Sequence, residues 1–157
     1  MDIKELYSGL ERIQNRGETG NAYSECGTVR EDFDVLTNFF DYVVEKYDDP
    51  IPPWAEAFMQ VFSWQFQSIH ETAEAYYSNE YGDSDYATIT RVTAFLRENG
   101  YDKIAEPYGL AAVDCEQYQY PKDKIDLLPD VWIDTHEQVI WNFYVDILEK
   151  HKENLLR

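Results

Sequence analysis

The stretch Thr28–Tyr47, TVREDFDVLTNFFDYVVEKY, carries its apolar residues at the spacing of an α-helix. Its apolar stripe consists of Phe33, Leu36, Phe40, Val43, Val44 and Tyr47. Four carboxylates fall on the opposite side of the same helix: Glu31, Asp34, Asp41 and Glu45. Because an apolar stripe opposite a charged face is typical of a helix packed against a core, this stretch predicts an α-helical fold.

Helical spacing also appears on both sides of this stretch. Residues Ile3–Ile13 predict a short helix, and we expect the polar segment Gly17–Gly27 that follows to be a loop. The prolines after Asp49 must end the second helix, whereas Pro53 suits the first turn of a third one. The third helix is expected near the centre of the core because its periodic residues are bulky: Trp54, Phe58, Val61, Phe62, Phe66 and Ile69.

The second half of the chain predicts further helices. One begins near Ser84 or Asp85 and ends at Gly100, and its buried face consists of Tyr86, Ile89, Thr93 and Leu96.

The C-terminal region predicts two more helices. Asp102 is expected to cap a short helix, and a polar connection, Asp114–Pro129, leads to one long final helix, Trp132–Leu156. No segment alternates with the period of two that is typical of strands, and no internal repeat is visible. We therefore predict one all-α domain, residues 1–157, folded as a single-domain bundle of about five or six helices.

Acidic residues dominate the charge of the chain. The 31 Asp and Glu residues against 13 Lys and Arg give a formal net charge of −18. Nucleic acid is excluded as a direct partner because binding to phosphates requires a basic surface, so a basic protein is the natural complement. The chain shows neither a signal sequence nor an apolar run of membrane length, and we expect a cytoplasmic protein. Cys26 and Cys115 lack metal-site spacing and are expected to be reduced thiols.

Motifs for common enzyme chemistry do not occur in the sequence. It has no Gly-rich phosphate loop, no GxSxG motif and no CxxC pair, and its paired carboxylates are too numerous to indicate acid–base catalysis. One alternative is a metal-dependent enzyme that uses His70, Glu71 and Glu74, with His70 and Glu74 on one helical face. Because this segment lacks the second histidine of a metalloprotease helix, we predict no catalytic residue, no metal site and no cofactor.

A second acidic region follows the helix Thr28–Tyr47, since no Lys or Arg occurs between Lys46 and Arg91. Five of its carboxylates join the four of the helix as predicted partner-binding residues: Glu71, Glu74, Glu80, Asp83 and Asp85. The four charges of the helix alone span about 21 Å at a rise of ~1.5 Å per residue. One such ridge is sparser than the phosphates of duplex DNA, but several ridges side by side would imitate a phosphate surface.

Tyrosines in expected loops or helix ends would support a binding role if they are exposed. These residues are Tyr76, Tyr77, Tyr81, Tyr118 and Tyr120. The alternative is that they pack in the core beneath the connections.

The stretch Tyr76–Asp83, YYSNEYGD, places two aromatics before Asn79 and a Gly-Asp pair at an expected helix start. It resembles a motif of the small helical DNA-mimic proteins of bacteria, and Asn99-Gly100 and Lys103-Ile104-Ala105 are similar to that family as well. The resemblance covers about a quarter of the chain, and the segment His70–Ala75 stands where that family has a Gly-Gly-aromatic run. The resemblance implies an all-α, non-enzymatic protein whose acidic face competes with DNA for a DNA-binding protein. Such a protein can be a monomer or a homodimer.

The sequence therefore predicts an acidic inhibitor of a basic nucleic-acid-binding protein or nuclease. A phage antagonist of a defence nuclease and an immunity protein against a nuclease toxin both fit this composition. A structural module whose acidic surface only keeps it soluble is the alternative from a third class.

Overall fold

The computed structural model describes residues 2–16, 27–84, 87–110 and 128–157. Within these ranges, only the backbone is described for residues 16, 27–32, 80–84 and 128. Regular structure in these ranges is helical, with no strand. In chain order the helices are α1 Ile3–Arg16, α2 Gly27–Lys46, α3 Pro53–His70, α4 Ala73–Ser84, α5 Ala87–Glu98, α6 Asp102–Tyr108, α7 Leu128–Thr135, α8 Glu137–Lys150 and α9 Lys152–Leu156. The predicted all-α class is confirmed.

The predicted number of five or six helices is too low, because the described ranges alone contain nine. The expected single helix Trp132–Leu156 is three helices, α7 to α9. The chain leaves α-helical geometry at His136 (φ −128°, ψ 29°) and at His151 (φ −110°, ψ 17°), and each of these residues is the N-cap of the helix that follows. Neither position carries the Gly or Pro that makes a helix end visible in a sequence.

Local chemistry sets the start of two helices, α1 and α3, but not that of α6. Asp2 caps α1, since its Oδ1 accepts a hydrogen bond from the backbone N–H of Lys4 at 3.0 Å. The start of α3 at Pro53 is confirmed as predicted. Asp102 was expected to cap α6, but it is the first helical residue; Tyr101 is the N-cap and makes no side-chain capping bond.

The helix α5 ends as predicted. Gly100 adopts φ +82°, a left-handed conformation that favours glycine, and the N–H of Tyr101 donates to the carbonyl of Leu96 at 2.8 Å. The predicted buried residues Ile89, Thr93 and Leu96 are buried, while Tyr86 lies outside the described residues. The expected loops Gly17–Gly27 and Asp114–Pro129 also lie outside them except at their ends, where both predictions ran too far: α2 begins at Gly27 and α7 begins at Leu128.

None of the helices that the structure describes combines the length and the apolar character needed to cross a membrane.

The chain divides into two compact units, and the boundary falls within α3. The first unit comprises Met1–Met59 and His136–Arg157, and the second comprises Gln60–Thr135. The expectation of a single domain over residues 1–157 stays a prediction.

The first unit is built on α1, α2, the start of α3, α8 and α9. Tyr7 fixes α1 to its neighbours: its hydroxyl donates to the carbonyl of Leu148 at 2.6 Å, and its ring meets that of Phe39 edge-on at 5.0 Å. The predicted stripe of α2 is partly wrong, because Val44 is 47% exposed whereas Phe39 is fully buried. Phe39 lies on the same helical face as Leu36 and Val43, three and four residues away.

The second unit has an aromatic centre formed by side chains without solvent exposure: Trp64, Tyr76, Tyr77 and Tyr108. Their polar atoms bond to one another, to backbone carbonyls and, from the Tyr76 hydroxyl, to Gln60 Oε1, as is usual for buried polar groups. Phe66 was predicted to be buried but is 37% exposed, and Trp64 occupies the core instead.

Candidate functional site

Three predicted partner-binding residues form one exposed row on α2. Asp34, Asp41 and Glu45 are all exposed. At about 100° per residue, the positions seven and eleven residues after Asp34 return to within about 20° of its direction. We call these three residues the acidic stripe; it is about 16 Å long at ~1.5 Å per residue. The side chain of the fourth predicted residue, Glu31, lies outside the described part of α2.

The flanks of the acidic stripe differ from each other. Lys46 is the one basic residue among the described side chains of α2, 33–46. Its Nζ donates to the carbonyl of Leu155 at 3.4 Å and lies 5.8 Å from the centre of the Tyr42 ring, so this ammonium is engaged at α9. On the other flank Val44 is exposed and gives the surface an apolar edge.

The charge density of the stripe falls short of that of DNA. One DNA strand offers a phosphate about every 3.4 Å, or about five over the length of the stripe, where the acidic stripe has three carboxylates. Asp48 and Asp49 are exposed directly after α2 and extend the negative surface. The acidic stripe alone is therefore sparser in charge than one strand of DNA.

The remaining predicted partner-binding residues are not on α2. Glu71 is exposed and Glu74 is half-buried, and both belong to the second unit. The side chains of Glu80 and Asp83, and the whole of Asp85, lie outside the described residues. The structure therefore brings together three of the nine predicted residues in one row.

The premise of the metal-site alternative is wrong. His70 is the last residue of α3 and Glu74 lies in α4, and the helix is interrupted at Glu71 and Thr72, so His70 and Glu74 do not share a helical face. The His70 ring packs against Phe66 with ring centres 4.4 Å apart. No group of three or more His, Cys, Asp or Glu side chains placed to hold a metal ion occurs in residues 2–16, 27–84, 87–110 and 128–157.

The tyrosines expected in a loop are part of the core. Tyr76 and Tyr77 lie inside α4 and are fully buried, so the stretch Tyr76–Asp83 is helix rather than the approach to one. The Tyr77 hydroxyl accepts from Trp64 Nε1 at 3.0 Å and donates to the carbonyl of Tyr108 at 2.8 Å. These two residues therefore give no exposed aromatic surface, and the described residues do not include Tyr118, Tyr120 or the side chain of Tyr81.

A groove in the first unit was not predicted from the sequence. It has a volume of about 400 Å³ and is lined by Tyr7, Leu10, Glu11, Gln14, Val145, Glu149 and Lys152. Burial, and after it the charge of Glu149, raises the pKa of Tyr7 well above its ordinary value, so the phenol stays neutral. The α1 positions follow helical spacing, but nothing local in the sequence links them to residues 145–152.

Comparison of the chain with protein-family models, with curated proteins and with solved structures finds no match in any of the three.

Proposed function

We propose that this chain is a non-enzymatic acidic binding protein that occupies the basic surface of a nucleic-acid-binding protein or nuclease. The observation that carries the proposal is the acidic stripe, in which three exposed carboxylates share one face of α2 while Lys46 is engaged at α9. The net charge of −18 supports the same class of partner. The resemblance of Tyr76–Asp83 to DNA-mimic proteins agrees with this function.

The physical advantage of such a surface lies in speed and selectivity. Opposite potentials on the two partners steer their encounter, and the association rate falls as salt screens the charges. Asp41 and Glu45 are like charges four residues apart, an arrangement that destabilises the isolated helix slightly. A function in binding gives a reason for keeping that arrangement.

Capture from a lysate of the source cells tests the proposal. The immobilised chain is compared with a stripe variant, Asp34→Asn/Asp41→Asn/Glu45→Gln, which removes three charges from α2. A matched variant, Glu98→Gln/Asp102→Asn/Glu106→Gln, removes three charges from exposed positions on α5 and α6. Washes at low salt and at about 0.5 M salt, where screening acts within a few Å, separate electrostatic partners from others.

We expect the chain and the matched variant to retain a basic nucleic-acid-binding protein that high salt or added DNA releases. The stripe variant should retain much less of it. Capture of nothing basic, or equal capture by both variants, would contradict the proposal and leave a solubilising role for the acidic surface.

A further inference from the structure

The groove of the first unit, which we call the Tyr7 groove, combines an apolar floor with charged walls. Tyr7 and Leu10 are buried at its floor. Glu11 on α1 and Glu149 on α8 are exposed at its walls, and Lys152 on α9 completes it. Two carboxylates against one ammonium leave the groove one negative charge in excess, which a single cation neutralises.

The floor of the Tyr7 groove already accepts a cation. The Nζ of Lys152 lies 4.9 Å from the centre of the Tyr7 ring, within the range of a cation–π contact. The ring is held by its hydrogen bond to Leu148 and its edge contact with Phe39. A ring fixed in this way loses little conformational freedom when a ligand binds, which favours affinity.

Among biological cations, the guanidinium group matches this arrangement best. It is planar, stacks on aromatic rings and is less strongly hydrated than an ammonium. Its five N–H donors point in several directions, so that one group can bond to carboxylates on opposite walls, here Glu11 and Glu149. The apolar stem of an arginine would lie along the half-buried side chain of Val145.

We propose that the Tyr7 groove binds the side chain of an arginine presented by another protein, and that this arginine displaces the Lys152 ammonium from the Tyr7 ring. This site is separate from the acidic stripe, and its test does not depend on the proposed function. The probe is Nα-acetyl-arginine methylamide, and the matched neutral probe is the corresponding citrulline derivative, which has the same shape without the charge.

Titration of the labelled chain, followed by amide chemical shifts in ¹H–¹⁵N NMR spectra, measures binding. We expect saturable shifts near Tyr7, Glu11 and Glu149 with the arginine probe and none with the citrulline probe. Glu11→Gln and Glu149→Gln should each weaken binding about three- to fivefold, the upper range for an exposed ion pair. The control Glu5→Gln, on α1 outside the groove, should leave the affinity unchanged.

A further variant distinguishes binding in the Tyr7 groove from nonspecific attraction of the cationic probe to an acidic protein. Lys152→Gln removes the resident cation from the Tyr7 ring and should tighten binding of the arginine probe. Unchanged amide shifts away from the groove verify that each variant is folded. Absence of saturable shifts, equal shifts with citrulline, or equal affinity of Glu149→Gln and Glu5→Gln would overturn the proposal.

Discussion

Replacing Tyr77 by phenylalanine removes one hydroxyl from the buried centre of the second unit and leaves the ring in place. That hydroxyl accepts from the indole N–H of Trp64 at 3.0 Å. It donates to the carbonyl of Tyr108 at 2.8 Å and contacts that of Pro107 at 3.2 Å. Because Trp64 and Tyr108 are fully buried, water cannot replace the lost partner without opening the core.

The expected cost follows from the groups left without a partner. A buried donor or acceptor that loses its hydrogen bond costs about 1–3 kcal/mol. One indole N–H and one carbonyl give a loss of about 3 kcal/mol in the free energy of unfolding, which is large beside the total stability of an ordinary domain. No cavity forms beyond the volume of one oxygen atom, so packing adds little to this cost.

Urea unfolding followed by far-ultraviolet circular dichroism measures the difference. The matched control is Tyr47→Phe in the first unit, where the ring is half-buried and contacts Trp54 edge-on. We expect this control to change the free energy of unfolding by less than about 0.5 kcal/mol. If Tyr77→Phe unfolds at the same urea concentration as Tyr47→Phe, the assignment of the hydroxyl to a buried network is refuted.

Two further changes test the packing. Burial, and after it the charge of Lys150, lowers the pKa of His151 below 6.5, so its stabilising contribution is present above pH 6.5 and is lost as pH falls through the folded-state pKa. His151→Phe retains the ring stack on Trp54 and should lose less stability on acidification than the unaltered chain in urea titrations. A Cβ at Gly109 would lie 2.7 Å from Thr93 Cγ2, so Gly109→Ala should destabilise by about 1–3 kcal/mol. Adding Thr93→Ser to Gly109→Ala removes the Cγ2 methyl and should recover part of that loss. If Gly109→Ala alone is as stable as the unaltered chain, the close approach of Gly109 to Thr93 is contradicted.

The fold was predictable where the sequence carries local signals. Pro53 fixes the start of α3, and Gly100 marks the end of α5 through its left-handed conformation. The acidic stripe also follows from spacing alone, because residues at helical intervals share a face whatever they pack against.

Helix α4 was missed because its stability comes from distant residues. Its sequence contains Ser, Asn and Gly, which disfavour a helix interior, so the stretch Tyr76–Asp83 suggested a loop. In the structure Asp130 of α7 accepts from the backbone N–H of Ala73 at 2.8 Å and also from the Ser68 hydroxyl, and it thereby supplies the cap at the start of α4. A cap that comes from 57 positions along the chain leaves no local pattern.

The Tyr7 groove was not predictable for a similar reason. Its walls come from α1 and from α8 and α9, at opposite ends of the chain, and meet only after the first unit has folded. Single Glu and Lys residues on these helices are ordinary surface residues in the sequence. Their proposed role depends on the shape of the groove and on the fixed Tyr7 ring.

Competition with DNA measures whether the acidic stripe occupies the nucleic-acid surface of a partner. The basic protein captured from the lysate is bound to a fluorescent DNA duplex, and the chain is titrated while fluorescence anisotropy reports the bound DNA. We expect stoichiometric release of DNA by the chain and by the matched variant of α5 and α6, with much weaker release by the stripe variant. DNA that stays bound in the presence of excess chain, or equal release by the stripe variant, would contradict the claim that the acidic stripe occupies the nucleic-acid surface of its partner.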